Sequence, residues 1–95
     1  MAAYVIVDLD MKEPGALEGY RRAVPATLAK FGGRFIVRGG ACEVLEGDWT
    51  PKRVVVLEFP SMDALKRWYR SDEYKPLIAE RQRHSTGNLI AVEGV

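Results

Sequence analysis

The sequence predicts an α+β fold: one domain over residues 1–95, an antiparallel sheet with its helices on one face, in the order β-α-β-β-α-β. Three observations carry this. Runs rich in β-branched residues alternate with stretches of helical periodicity. The second and third runs are separated only by a glycine-bearing turn and a short loop. Ninety-five residues leave no room for a second core.

Ala3–Leu9 (AYVIVDL) reads as the first strand, with Tyr4, Ile6 and Asp8 on one side and Val5, Val7 and Leu9 on the other. Glu13 and Pro14 then open a helix, since an acid and a proline both suit a helix start. Leu17, Tyr20, Val24, Leu28 and Phe31 fall within an arc of about 80° and form its core-facing stripe. Pro25 lies inside that helix, where its missing amide donor predicts a kink. Gly32 and Gly33 supply the stop. Arg34–Arg38 is the second strand; strict alternation places Arg34, Ile36 and Arg38 on one face and Phe35 and Val37 on the other. Gly39 and Gly40 bend the chain, and Cys42–Glu46 is expected to continue the strand beyond a bulge or kink. Arg53–Phe59 (RVVVLEF) is the third strand, stopped by Pro60. Ser61 caps a helix whose apolar face is Met62, Leu65, Trp68 and Tyr69. Ser71-Asp72-Glu73 restarts the chain into a helix over Lys75–His84, with Pro76 near its first position, and Asn88–Glu93 is the last strand. This order fits a ferredoxin-like protomer.

Composition narrows the function classes. The chain is 47% hydrophobic and 28% charged, with a net charge of +1, which argues against nucleic acid as a partner. Cys42 has no partner for an internal disulfide, and no histidine-carboxylate spacing suggests a metal. No signal peptide and no membrane-spanning run is visible, so a cytoplasmic protein without membrane contact is expected.

The strands also predict an assembly. Tyr-Val-Ile-Val in the first and Val-Val-Val-Leu in the third are apolar on both faces, whereas a sheet with one wet face alternates. Helices on one side leave the second face uncovered, and an identical sheet from a second chain is the simplest cover.

The stretches FGGRFIVRGG (Phe31–Gly40), EVLEGDWTPKRVVVLEFPS (Glu43–Ser61) and RWYRSDEYKPL (Arg67–Leu77), together with Arg81, resemble the uncharacterised "domain of unknown function 1330" family of the dimeric α/β-barrel superfamily. The resemblance implies a ferredoxin-like protomer whose sheet pairs with that of a second copy into a barrel. It brings no activity. Relatives elsewhere in that superfamily include cofactor-free monooxygenases, isomerases, haem-degrading enzymes and ligand-sensing domains, so fold is not function.

Arg81 is the leading candidate residue. It shares a helix face with Tyr74, Leu77 and Ile78, so its charge needs a partner: either Glu58 in a structural ion pair, or an anionic ligand. His84, the only histidine, suits a general base or an axial haem ligand, and equally a helix-end position facing the dipole. The haem reading would pair it with Trp68 and would want an asparagine where this chain has Asp8. Trp49, Trp68, Tyr69 and Tyr74 suit either a pocket for a flat ligand or the core. The candidate binding set is therefore Arg34, Arg38, Glu58, Trp68, Tyr74 and Arg81, with His84 or Tyr20 as a base. The ligand expected is a small anionic or aromatic metabolite, and no cofactor or metal is called for.

Overall fold

The computed structural model describes residues 1–95, apart from the side chain of Pro14. Its elements are β1 (Ala3–Met11), a 3-10 turn (Pro14–Leu17), α1 (Glu18–Lys30), β2 (Arg34–Arg38), β3 (Val54–Phe59), α2 (Met62–Tyr69), α3 (Lys75–His84) and β4 (Ser85–Glu93). The strands form one antiparallel sheet in the order β2-β3-β1-β4. The element order and strand types match the sequence reading. The first and last strands run longer than expected, because β1 and β4 stay paired down to Met11 opposite Ser85.

One face of the sheet carries the helices. Val5 lies opposite Leu57 and Ala3 opposite Phe59, and all four are buried beneath Leu28, Leu65, Trp68 and Tyr74. α1 brings Val24 and Leu28 onto this core from its predicted stripe. It runs unbroken through Pro25. Gly32 ends it at φ +76°, a conformation that glycine adopts without strain. Ser61 caps α2 by accepting a hydrogen bond from the Ala64 amide at 3.1 Å.

The other face has no helix over it. Tyr4, Ile6, Val54, Val56, Ile90 and Val92 share it by register. Ile90 stays 55% exposed, Val92 41% and Val37 39%, so this face is both apolar and open to solvent.

Two expectations need correcting. Cys42–Glu46 forms no strand: Gly39 turns the chain at φ +71° and closes back on the Val54 carbonyl at 2.8 Å, so the residues beyond it find no strand to pair with. Strict alternation also fails in β2. Arg34 faces Glu58 and Phe35 faces Leu57, but Val37 faces Val56 and Arg38 faces Val55, so Ile36 is an extra residue looped out as a bulge. Arg38 therefore lies on the helix side with Phe35, while Arg34 lies on the open face.

Candidate functional site

Between the helix face of the sheet and the helices lies a cleft enclosing about 60 Å³. Its floor is aliphatic, from Val7, Leu9, Val55 and Leu89. α1 contributes Tyr20 and Val24, and α2 and α3 contribute Trp68 and Arg81, with Tyr74 at the residue preceding α3. Arg21, Arg38, Arg53 and Arg81 also line it, and among the described residues none has a carboxylate oxygen within 4.0 Å. The cleft is thus apolar, with four guanidinium groups along its lining and no acid beside them.

Arg81 sits at the inner wall, only 7% exposed. Its guanidinium donates to the Tyr74 hydroxyl at 3.1 Å, and that hydroxyl is 2.7 Å from the Tyr20 hydroxyl. A phenol has one proton, so one of the two tyrosines keeps a donor free for the cleft. The Tyr74 ring is fixed by stacking on Trp68 at 4.0 Å, and Trp68 is fixed in turn by its indole N–H donating to Thr27 at 3.0 Å. Burial, reinforced by Tyr20, pushes the Tyr74 hydroxyl far above the ordinary phenol range, so it acts as a neutral group. Burial opposes the charge on Arg81, but the hydroxyls of Tyr74, Tyr20 and Tyr69 outweigh it and hold the group above its ordinary value. Arg81 is thus a permanent cation in a buried wall, with tyrosine hydroxyls rather than a carboxylate around it.

The other three arginines ring the mouth, and local backbone chemistry sets each. The Ile36 bulge turns Arg38 inward, where its guanidinium lies 4.3 Å above the Phe35 ring. Pro25 lacks the amide that would take the Arg21 carbonyl in an unbroken helix, and Arg38 donates to that carbonyl instead, at a long 3.4 Å. Arg53 lies across Gly39, where any Cβ would overlap its guanidinium. Burial, and then the charges of Arg21 and Arg38, draw Arg53 below its ordinary value. The three cations repel one another with no acid to offset them.

A family model matches residues 2–95 and is described as a domain of unknown function, DUF1330. The chain belongs to the DUF1330 family. No curated protein matches it. Among solved structures it is similar to a protein of unknown function from Rhodopseudomonas palustris, RPA0582, at TM-score 0.78 and 18% identity, covering 99% of this chain and 82% of that one. It is similar to SnoaB, a cofactor-independent oxygenase from Streptomyces nogalater, at TM-score 0.66 and 14% identity, covering 99% and 93%. A dimeric ferredoxin-like protein of unknown function from Jannaschia sp. CCS1 gives TM-score 0.65 and 15% identity over 99% and 100%. At these identities the likeness establishes the fold, which is ferredoxin-like.

The fold of this DUF1330 chain brings together Tyr20, Arg38, Trp68, Tyr74 and Arg81 from the predicted set. Arg34 and Glu58 stand apart. They bond to each other on the open face at 2.7 Å, so Glu58 cannot reach Arg81 through the sheet. His84 is outside the cleft too; its ring lies 3.6 Å from both Glu13 and Glu80, and its Nδ1 is buried without a hydrogen bond. Asp8 is an anchor for the loop after β2: it accepts from the Trp49 indole at 3.0 Å and from the Lys52 amide at 2.9 Å, and the indole bond in particular holds its carboxyl below the ordinary range. Arg21 and Arg53 were not singled out from the sequence. Arg53 was legible, because it stands two residues before Val55 and so shares that residue's face.

Proposed function

We propose that this protein is a cytoplasmic homodimer that binds a small anionic metabolite in the cleft of each protomer. The observation that carries the ligand is Arg81: a guanidinium this deeply buried, without a carboxylate, is completed by an anion from solution. The enclosed volume limits what enters to a small group, well below the roughly 300 Å³ of drug-sized pockets. Pairing of open faces is supported by the exposed Ile90, Val92 and Val37, and by the dimeric state given for the Jannaschia structure. The exposed free thiol of Cys42 suits a reducing compartment.

A second reading is a cofactor-free oxygenase or isomerase, favoured by the Arg81–Tyr74–Tyr20 chain, which would stabilise negative charge developing on a bound oxygen. The experiment for the primary reading is a thermal-shift titration with acetate, benzoate and succinate in low-salt buffer. Saturating ligand at about 100 times Kd should stabilise by about 2.7 kcal/mol, or roughly 10–20 °C for a domain of this size. No shift with any carboxylate at millimolar concentration would refute the anion site.

A further inference from the structure

We propose that the ligand of the cleft is a short aliphatic dianion, one end on Arg81 and the other under the mouth arginines, an inference that rests on the anion-site reading above. The cations lie at different depths: Arg81 is buried, Arg21 and Arg53 are half-buried, and Arg38 is exposed. Arg81 belongs to α3, which packs on α1 and β4, while Arg21, Arg38 and Arg53 come from α1, β2 and the residue before β3. The aliphatic floor of Val7, Leu9, Val55 and Leu89 lines the same cleft. Only about 60 Å³ is enclosed, so the buried part of a ligand is one terminal group and a short stem. The rest of any ligand must emerge at the mouth.

The mouth is a built feature. Arg22, Arg34, Arg67 and Arg83, outside the cleft, each face a carboxylate, and Arg70 alone among the outer arginines lacks one, at an exposed position. The three mouth arginines are instead held beside one another by a bulge, a helix proline and a glycine that admits no side chain. Their mutual repulsion is relieved when an anion enters. A terminal carboxylate or a phosphate has the shared chemistry, a planar or tetrahedral set of oxygens that accepts from several guanidinium N–H groups.

The test is calorimetric titration of the intact protein with succinate and glutarate, with the monoanions butyrate and valerate, and with phosphoglycolate. The dicarboxylates should bind about tenfold or more tightly than monoanions of similar length, as a charge-assisted contact implies. Phosphoglycolate tighter than glutarate would assign the outer end to phosphate, and the reverse order to carboxylate. Arg38→Gln, alone and with Arg53→Gln, should erase the dianion advantage and leave monoanion affinity within a few-fold. Circular dichroism checks folding, and the single variant, at an exposed position, serves if the double one unfolds. Equal affinity for the two ligand classes would overturn the dianion while leaving the Arg81 site standing. Absence of binding by every anion would remove the site itself.

Discussion

Replacing Arg81 with methionine separates a ligand-binding arginine from a structural one. If the guanidinium neutralised a buried carboxylate, its loss would strand that acid and cost about 3–5 kcal/mol. The structure gives Arg81 no such acid, and Glu58 is bonded to Arg34 across the sheet. Arg81→Met loses the 3.1 Å bond to Tyr74, a charge-assisted contact of about 1.5–3 kcal/mol. Against this, it removes the desolvation cost of a buried cation, which offsets part of that loss, and methionine refills much of the volume. The offset is incomplete because the hydroxyls outweigh burial, so the ligand-free variant is expected about 1 kcal/mol less stable than the parent. Urea unfolding of both proteins, with equal slopes, reads this directly. The variant should also lose its response to carboxylates. A loss of 3 kcal/mol or more, with no recovery on adding Glu58→Gln, would refute the reasoning and require an anionic partner elsewhere in the chain.

Three further outcomes are expected. Ile90→Asp puts two charges into a paired open face; about 1–1.5 kcal/mol of burial is lost per copy and the charges add several more, so light scattering should fall from twice the 10.6 kDa chain mass to the monomer with its fold retained. An unchanged mass would place the interface elsewhere. Tyr74 is raised above its unfolded value of about 10, so its contribution to stability is complete below that pH and is lost as pH climbs toward the folded value; phenolate absorbance should show one of the four tyrosines withheld until the chain unfolds. Pro25→Ala returns an amide to the Arg21 carbonyl, which should raise helix stability by up to about 3 kcal/mol and weaken anion binding by freeing Arg38; tighter binding would show that Arg38 is not held this way.

The elements were legible because each carries its own local signal: β-branched runs for the strands, a narrow apolar arc for α1, and Ser61 for the start of α2. The faces were harder. Glu58 was correctly grouped with Val54 and Val56, yet both sides of that strand are apolar, so nothing local told which side the helices take. That single ambiguity made Glu58 look like a partner for Arg81. The bulge was illegible for a different reason. It is a mismatch between β2 and β3, and neither strand records it alone. Cys42–Glu46 has apolar Val44 and Leu45, but strand structure needs a neighbour as well as a composition, and the turn at Gly39 carries the segment away from one. His84 drew attention as a chemical type. Its position at the end of α3 turns it toward Glu13 and Glu80 instead.

β2 is five residues long, yet it fills only four places opposite β3. Removing Ile36 would leave Arg34 opposite Glu58 and Arg38 opposite Val55, so the cleft would keep its cation and the strand would become regular. Losing Val37 instead would bring Ile36 opposite Val56 and leave the other three pairings as they are, whereas losing Phe35 would remove the ring beneath the Arg38 guanidinium. Ile36 and Val37, neither of which lines the cleft, are thus residues of the strand that it can spare. What deletion of Ile36 removes is apolar surface, since the side chain is 42% exposed next to Val37, which lies on the open face. When relatives of this chain are aligned, a gap at this position would therefore speak about how copies meet, and say nothing about what the cleft holds.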